Sequence, residues 1–282
     1  MRLVIAGDIV RGKQWEKYLR ERASVREVIV TPEFRDEETD AVVLLDDSPF
    51  GLTEVIQIIK KGYPVYLVSR LPTDIEELKK VYHASEEANV SVQFSHWASF
   101  SSITRYMKKY ISSGPQFIEI RKADRGRTVP PPDKFRQAWV DELALIVTLQ
   151  NSSVQQITAK PVKLQNLTAG IHLSIRFDSG SVATIQYMAV SPAESYERTV
   201  QSNNSLFVCD ILAQKTTRYA AENGSSLLQA EHKTFDSTDT ASNSLDYFIR
   251  SVKTRKPSGF SALNALQTAR LAIRIDELIK KA

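Results

Sequence analysis

Short apolar runs alternate with amphipathic helical stretches throughout residues 1–115, and few architectures accommodate that pattern. Residues 3–6 read as a buried strand, and Trp15, Tyr18, Leu19 and Arg22 follow at helical spacing. Residues 28–30 form a second strand, closed by Thr31-Pro32. Residues 41–45 are continuously apolar, as a strand covered on both sheet faces must be. Leu52, Val55, Ile56 and Ile59 mark a helix that stops at Gly62, and residues 65–68 give a fourth strand. Thr73, with Glu76 three residues on, makes a capping box for a helix that ends near Asn89. Residues 90–94 are a fifth strand, and Ile103, Tyr106, Met107, Tyr110 and Ile111 form one more helix before Gly114. Strands separated by helices in this way predict a parallel, Rossmann-like sheet with helices on both faces.

After Gly114 the period changes. Residues 117–121 are strand-like, 125–132 form a charged loop, and 139–149 read as a helix. Ile171, Leu173, Ile175 and Phe177 alternate with His172, Ser174 and Arg176, the period of a half-buried strand. Asp178-Ser179-Gly180 turns that strand into its partner at 182–188. Residues 206–212 are strand-like, and two helices at 242–254 and 261–281 close the chain. The expected class is therefore α/β: a Rossmann-like domain over 1–115, then an α+β domain over 116–282 with an open, mainly antiparallel sheet. The last helix is expected to return to the first domain.

Composition removes several function classes. Hydrophobic residues are 42% and charged residues 25%, ordinary for a globular protein of 282 residues. Net charge is +4, and the basic clusters at 121–127 and 253–256 lack interleaved aromatics. They read as solvated surface, with an anion site as the alternative, and nucleic-acid binding is not expected. No apolar run reaches the length of a membrane helix or of a signal peptide, so a cytoplasmic location is expected. Cys209 is the single cysteine, which precludes an internal disulfide and a Cys-based zinc site; its apolar setting suggests a buried, inert thiol.

The order of elements resembles the Gfo/Idh/MocA (glucose–fructose oxidoreductase / inositol dehydrogenase) family of nicotinamide-dependent oxidoreductases. The similarity spans the chain and is densest, without gaps, over 42–73, including Lys61-Gly62-Tyr63-Pro64-Val65. It recurs over 90–114, in Phe177-Asp178-Ser179-Gly180 with Val182-Ala183-Thr184, and in the final helix. The resemblance implies NAD or NADP as cofactor and a sugar-like or cyclic polyol substrate. It also implies a homodimer or homotetramer built on the second-domain sheet, through a face carrying His172, Ser174 and Arg176.

The positions that do chemistry in that family read differently here. The turn after the fourth strand carries a Glu-Lys-Pro triplet in the family, its lysine donating a proton; this chain has Val68-Ser69-Arg70. Arg70 is permanently charged and cannot replace that donor. The glycine fingerprint is matched to Ile5-Ala6-Gly7-Asp8-Ile9-Val10, where only Gly7 remains, Val10 stands where the helix should pack on the strand, and Gly12, a sign of a shifted register, comes too late to restore the motif. Asp8 puts a negative charge beside the phosphates, costing roughly 3 kcal/mol per charge pair at ~5 Å before screening. Cofactor contacts are expected from Gly7, Asp8, Ile9, Asp46 and Ser69. Thr31 or Pro32 fills the place of the ribose-binding acid, with Glu33 next. Asp46 and Asp47 replace a Thr-Pro pair and Gly51 a histidine; the two acids read as a helix cap or as a base. The Asp and His of the second-domain helix are absent from 135–139, and Asp141 and Glu142 are expected on a solvated face.

The catalytic candidates are accordingly His96, after the fifth strand, and Asp47. No pair of histidines has metal-ligand spacing. Three readings follow: a divergent NAD(P)-dependent oxidoreductase; a catalytically inactive relative that binds a small ligand or another protein; and a lyase or isomerase using Asp46 and Asp47.

Overall fold

A computed structural model describes residues 1–35, 38–45, 52–111, 113–150, 152–221 and 227–281. The chain divides into two compact units, Met1–Phe100 with Thr238–Arg270, and Ser101–Ser237 with Leu271–Ala282. The dividing line falls at Phe100/Ser101, where the sequence pattern suggested residue 115, and the first unit takes back a C-terminal segment.

The first unit holds β1 (Arg2–Ala6), α1 (Ile9–Arg20), β2 (Glu27–Thr31), β3 (Ala41–Leu45), α2 (Leu52–Lys60), β4 (Val65–Val68), α3 (Ile75–Ala88), β5 (Val92–Phe94) and the single turn α4 (Trp97–Phe100). Its sheet has the order β2-β1-β3-β4-β5 and is parallel throughout. β1, β3 and β4 are buried from end to end apart from Arg2, which explains why their sequences show no polar alternation. One core joins Leu3, Ile5, Val43 and Tyr66 of the sheet to Trp15 and Leu19 of α1. Leu245, Phe248 and Ile249 of α7 (Asp239–Thr254) belong to the same core. In this strand order the direction of winding reverses between β1 and β3, and open α/β sheets bind ligands beyond the carboxyl ends of such strands.

Local details differ from the sequence expectations. Asp74, not Thr73, caps α3: its Oδ1 accepts the Glu77 amide at 2.9 Å, so the cap sits one residue later. The helix ends as expected at Asn89, which takes the left-handed conformation. The helix expected over 103–111 is α5 (Ser102–Lys108), started by the Ser101 hydroxyl accepting the Thr104 amide and ending sooner than expected; the turn α4 precedes it.

The second unit contains α5, β6 (Phe117–Arg125), α6 (Pro132–Leu149), β7 (Val154–Leu164), β8 (Leu167–Phe177), β9 (Val182–Ser191), β10 (Ser195–Gln201), β11 (Leu206–Asp210), β12 (Lys215–Ala221) and β13 (Leu228–Thr234). The sheet order is β13-β12-β11-β10-β6-β9-β8-β7, antiparallel except where β6 meets β9. The α/β plus open, mainly antiparallel α+β architecture read from the sequence is the one the chain has. The last helix, α8 (Ala262–Lys281), gives its residues up to Arg270 to the first unit and the rest to the second. No helix among the described residues is long and apolar enough to cross a membrane.

Candidate functional site

The carboxyl edge of the first unit's sheet is built around two glycines. Gly7 ends β1 at φ +131°, and a Cβ there would lie 2.8 Å from the Leu45 carbonyl oxygen of β3. Gly12 lies inside α1, and a Cβ there would come within 2.4 Å of Val30 Cγ1 on β2. Gly7 makes the turn and Gly12 permits close helix–strand packing, the first and third roles of a Gly-x-Gly-x-x-Gly fingerprint. This corrects the register expected above: the motif runs 7, 9, 12, and Val10 is not its closing position. Val10 is in fact 68% exposed.

The middle position, where backbone must approach a pyrophosphate, is Ile9, 37% exposed at the start of α1. Asp8 is the N-cap, and its Oδ1 accepts the Arg11 amide at 2.8 Å. The anion-attracting end of α1 thus already holds a carboxylate. Gly7 and Gly12 fit a dinucleotide; Asp8 and Ile9 oppose its phosphates.

The other expected residues divide as follows. Ser69 ends β4, its amide donating to Ser95 Oγ at 3.0 Å and its hydroxyl to the Arg70 carbonyl at 2.8 Å. Ser95 in turn donates to the Ser69 carbonyl at 2.8 Å, so Ser69 is tied into the β4–β5 seam. His96 is buried, with Nδ1 2.7 Å from Ser99 Oγ and its ring 4.7 Å from that of Phe260. Thr31 donates to the Glu33 carbonyl at 2.9 Å. Asp46, Asp47 and Gly51 lie outside the described residues. Trp97, 45% exposed, stacks on Trp15 with centroids 6.2 Å apart, placing an indole just after β5.

The second unit carries a polar cluster that sequence reasoning missed. Glu142 was expected in solvent but is 2% exposed. Its Oε2 pairs at 3.0 Å with Arg198 of β10, also 2% exposed, and Tyr196 donates its hydroxyl to the same carboxylate. Burial holds the Tyr196 phenol well above its usual range. The neighbouring Asp141 is half-buried and accepts from Gln137 Nε2 at 2.5 Å. Burial, reinforced by the Glu142 charge, raises its carboxyl to about 6, although the Gln137 amide and Lys122 pull the other way. Lys122 of β6 lies 5.7 and 5.2 Å from the ring centroids of Tyr187 and Tyr196, and Tyr187 donates to Asp124 Oδ2 at 2.7 Å. Asp141, its carboxyl raised to about 6, thus lies within electrostatic reach of Lys122, which in turn packs near the rings of Tyr187 and Tyr196. A sequence signal existed: Asp141-Glu142 interrupts an otherwise apolar run from Trp139 to Val147. Among the described residues, no group of three or more His, Cys, Asp or Glu could hold a metal.

No family model and no curated protein sequence matches this chain. Solved structures do match it. UDP-N-acetylglucosamine 3-dehydrogenase GnnA from Acidithiobacillus ferrooxidans is 13% identical with a TM-score of 0.77, over 100% of this chain and 98% of that one. A dehydrogenase, MviM, from Clostridium difficile is 13% identical with a TM-score of 0.74, covering 99% of each chain. An NAD binding oxidoreductase from Klebsiella pneumoniae is 10% identical with a TM-score of 0.80, over 99% of this chain and 96% of that one. Identities this low establish the fold, and that fold, along the whole chain, is the one the Gfo/Idh/MocA resemblance implied.

Proposed function

We propose that this chain is an oxidoreductase of the NAD(P)-dependent type acting on a sugar-like or cyclic polyol substrate, with its proton chemistry moved away from the lysine position now held by Ser69. The observation that carries this reading is the Asp141 cluster, set in a fold shared end to end with dehydrogenases. Gly7 would give the dinucleotide its turn at the end of β1 and Ser69 a contact at the end of β4, while Asp8 and Ile9 limit how tightly it is held. When bound, the nicotinamide supplies a hydride acceptor. In the second unit, Asp141 is the group that would take a proton from a polyol hydroxyl, with Lys122 beside it. The test is titration with NADH and NADPH followed by Trp97 emission, paired with turnover of polyols by the wild type and by Asp141→Asn. Micromolar binding and activity that falls with Asp141→Asn support the reading; binding without turnover, or with turnover indifferent to Asp141, overturns it.

The Asp8 cap and the Ile9 side chain favour a second reading, a catalytically inactive relative that binds a small ligand or a protein partner. Absence of dinucleotide binding up to millimolar concentration, in a chain shown to be folded by circular dichroism, selects it.

A further inference from the structure

The opposite, amino-terminal edge of the first unit's sheet contains a groove of about 660 Å³ that the proposed chemistry does not use. It lies between the end of α3, the lead-in to β5, the end of α7 and the start of α8. Its volume is within the range of small-molecule sites. Val92, Val252, Pro257 and Ala262 give it an apolar part, and Ser91 and Ser258 line it as well.

Two cations stand on its wall, Arg255 and Lys256. Both side chains are exposed, and among the described residues neither forms an ion pair. One acid, Glu86, faces the same space. A cation after a helix C-terminus is commonly a partner for the helix dipole, but Lys253 in the last turn of α7 already fills that role. Arg255 itself is left-handed, at φ 52°, in the capping position where glycine is the unstrained choice. Asn89, also left-handed at φ 51°, lines the same groove. The negative end of α3 is blunted, because the Asn89 amide donates to the Glu86 and Ser85 carbonyls. The first turn of the twenty-residue helix α8 opens on the groove through Ala262 and Leu263.

From the cavity, the two uncommitted cations and an arginine placed where its backbone prefers glycine, we infer that this groove binds a small phosphate-bearing metabolite. Arg255 and Lys256 hold the phosphate, and the apolar part receives the remainder of the molecule. For the 253–256 cluster this takes up the anion-site alternative over solvated surface. It does not depend on the proposed oxidoreductase activity, because the groove lies at the strand edge away from Gly7 and Ile9.

Calorimetry with inorganic pyrophosphate tests it on the full chain. The wild type should bind, and Arg255→Gly and Lys256→Ala should each weaken binding about tenfold or more, as loss of a charge-assisted contact does. Arg255→Gly should unfold at the same or a higher temperature, since glycine adopts the left-handed conformation freely. Absence of binding to the wild type overturns the inference, as does equal binding by the Arg255→Gly/Lys256→Ala double variant. So does binding that survives the double variant but is lost in Ile9→Asp, which would place the anion at the β1–α1 turn instead.

Discussion

Replacing Ile9 with glycine should raise affinity for NADH or NADPH while lowering stability, and the opposite signs make the test sharp. Ile9 is the middle residue of Gly7-Asp8-Ile9-Val10-Arg11-Gly12, where a Cβ keeps backbone away from a pyrophosphate. The first-turn amides of a helix have no intrahelical carbonyl and are available to an anion. A regained hydrogen bond to a charged group contributes ~1.5–3 kcal/mol. One such bond corresponds to roughly a tenfold to hundredfold gain in affinity. Glycine in the helix costs about 0.5–1 kcal/mol in backbone entropy. The buried part of the isoleucine adds about 1 kcal/mol more. At about 2–4 °C per kcal/mol for a chain of this size, the variant should melt ~3–8 °C lower. Calorimetric titration beside thermal unfolding reads both quantities. Affinity that stays constant, or falls along with the melting temperature, refutes the assignment of Ile9 as the obstruction.

Glu142→Ala should cost ~3–5 kcal/mol in urea unfolding, because it leaves the Arg198 charge buried without its partner. Asp141 has a raised carboxyl pKa, so its contribution to stability is present at acid pH and lost as pH rises toward about 6. Asp141→Asn should therefore flatten the pH dependence of the urea midpoint over that window; an unchanged slope would remove Asp141 as the titrating group. Gly12→Ala should destabilise by ~1–3 kcal/mol through overpacking against Val30, measured by the same unfolding. The open face of the second sheet carries the in-register row Lys160, His172, Gln186, Arg121, Glu197 and Asp210. A dimer or tetramer formed through so polar a face should dissociate as salt increases in sedimentation velocity, and a salt-insensitive assembly would point to another surface.

The parts of the fold that could be read from the sequence were those where burial leaves no alternative. β1, β3 and β4 are covered on both faces, so their apolar runs are unambiguous. β7, β10 and β12 were missed because they are polar along much of their length, and β7 contains Pro161. Proline is tolerated there because β7 is an edge strand. The cap of α3 slipped by one residue because Thr73 and Asp74 are both good N-caps, and only geometry chooses between them. Glu142 was misplaced for a different reason: its partner Arg198 is 56 residues away, on a strand the sequence did not reveal.

The glycine fingerprint shows how a motif can mix two kinds of demand. Gly7 is fixed by φ +131° and by the Leu45 carbonyl, and Gly12 by Val30. Both are required by packing whether or not a dinucleotide ever binds, so their presence alone says little about cofactor use. The middle position is different, since only a ligand's need for close backbone approach calls for glycine there, and it is the one of the three that this chain fills with a branched side chain. Asp8 adds to this by supplying from within the negative group that the end of α1 would otherwise take from a ligand. The case for oxidoreductase chemistry therefore depends less on the first unit than on whether Asp141, Lys122 and Tyr187 bind and deprotonate a hydroxyl. If Ile9→Gly creates tight dinucleotide binding while polyol turnover stays absent, the second unit's cluster is structural and the chain is a binding protein on a dehydrogenase fold.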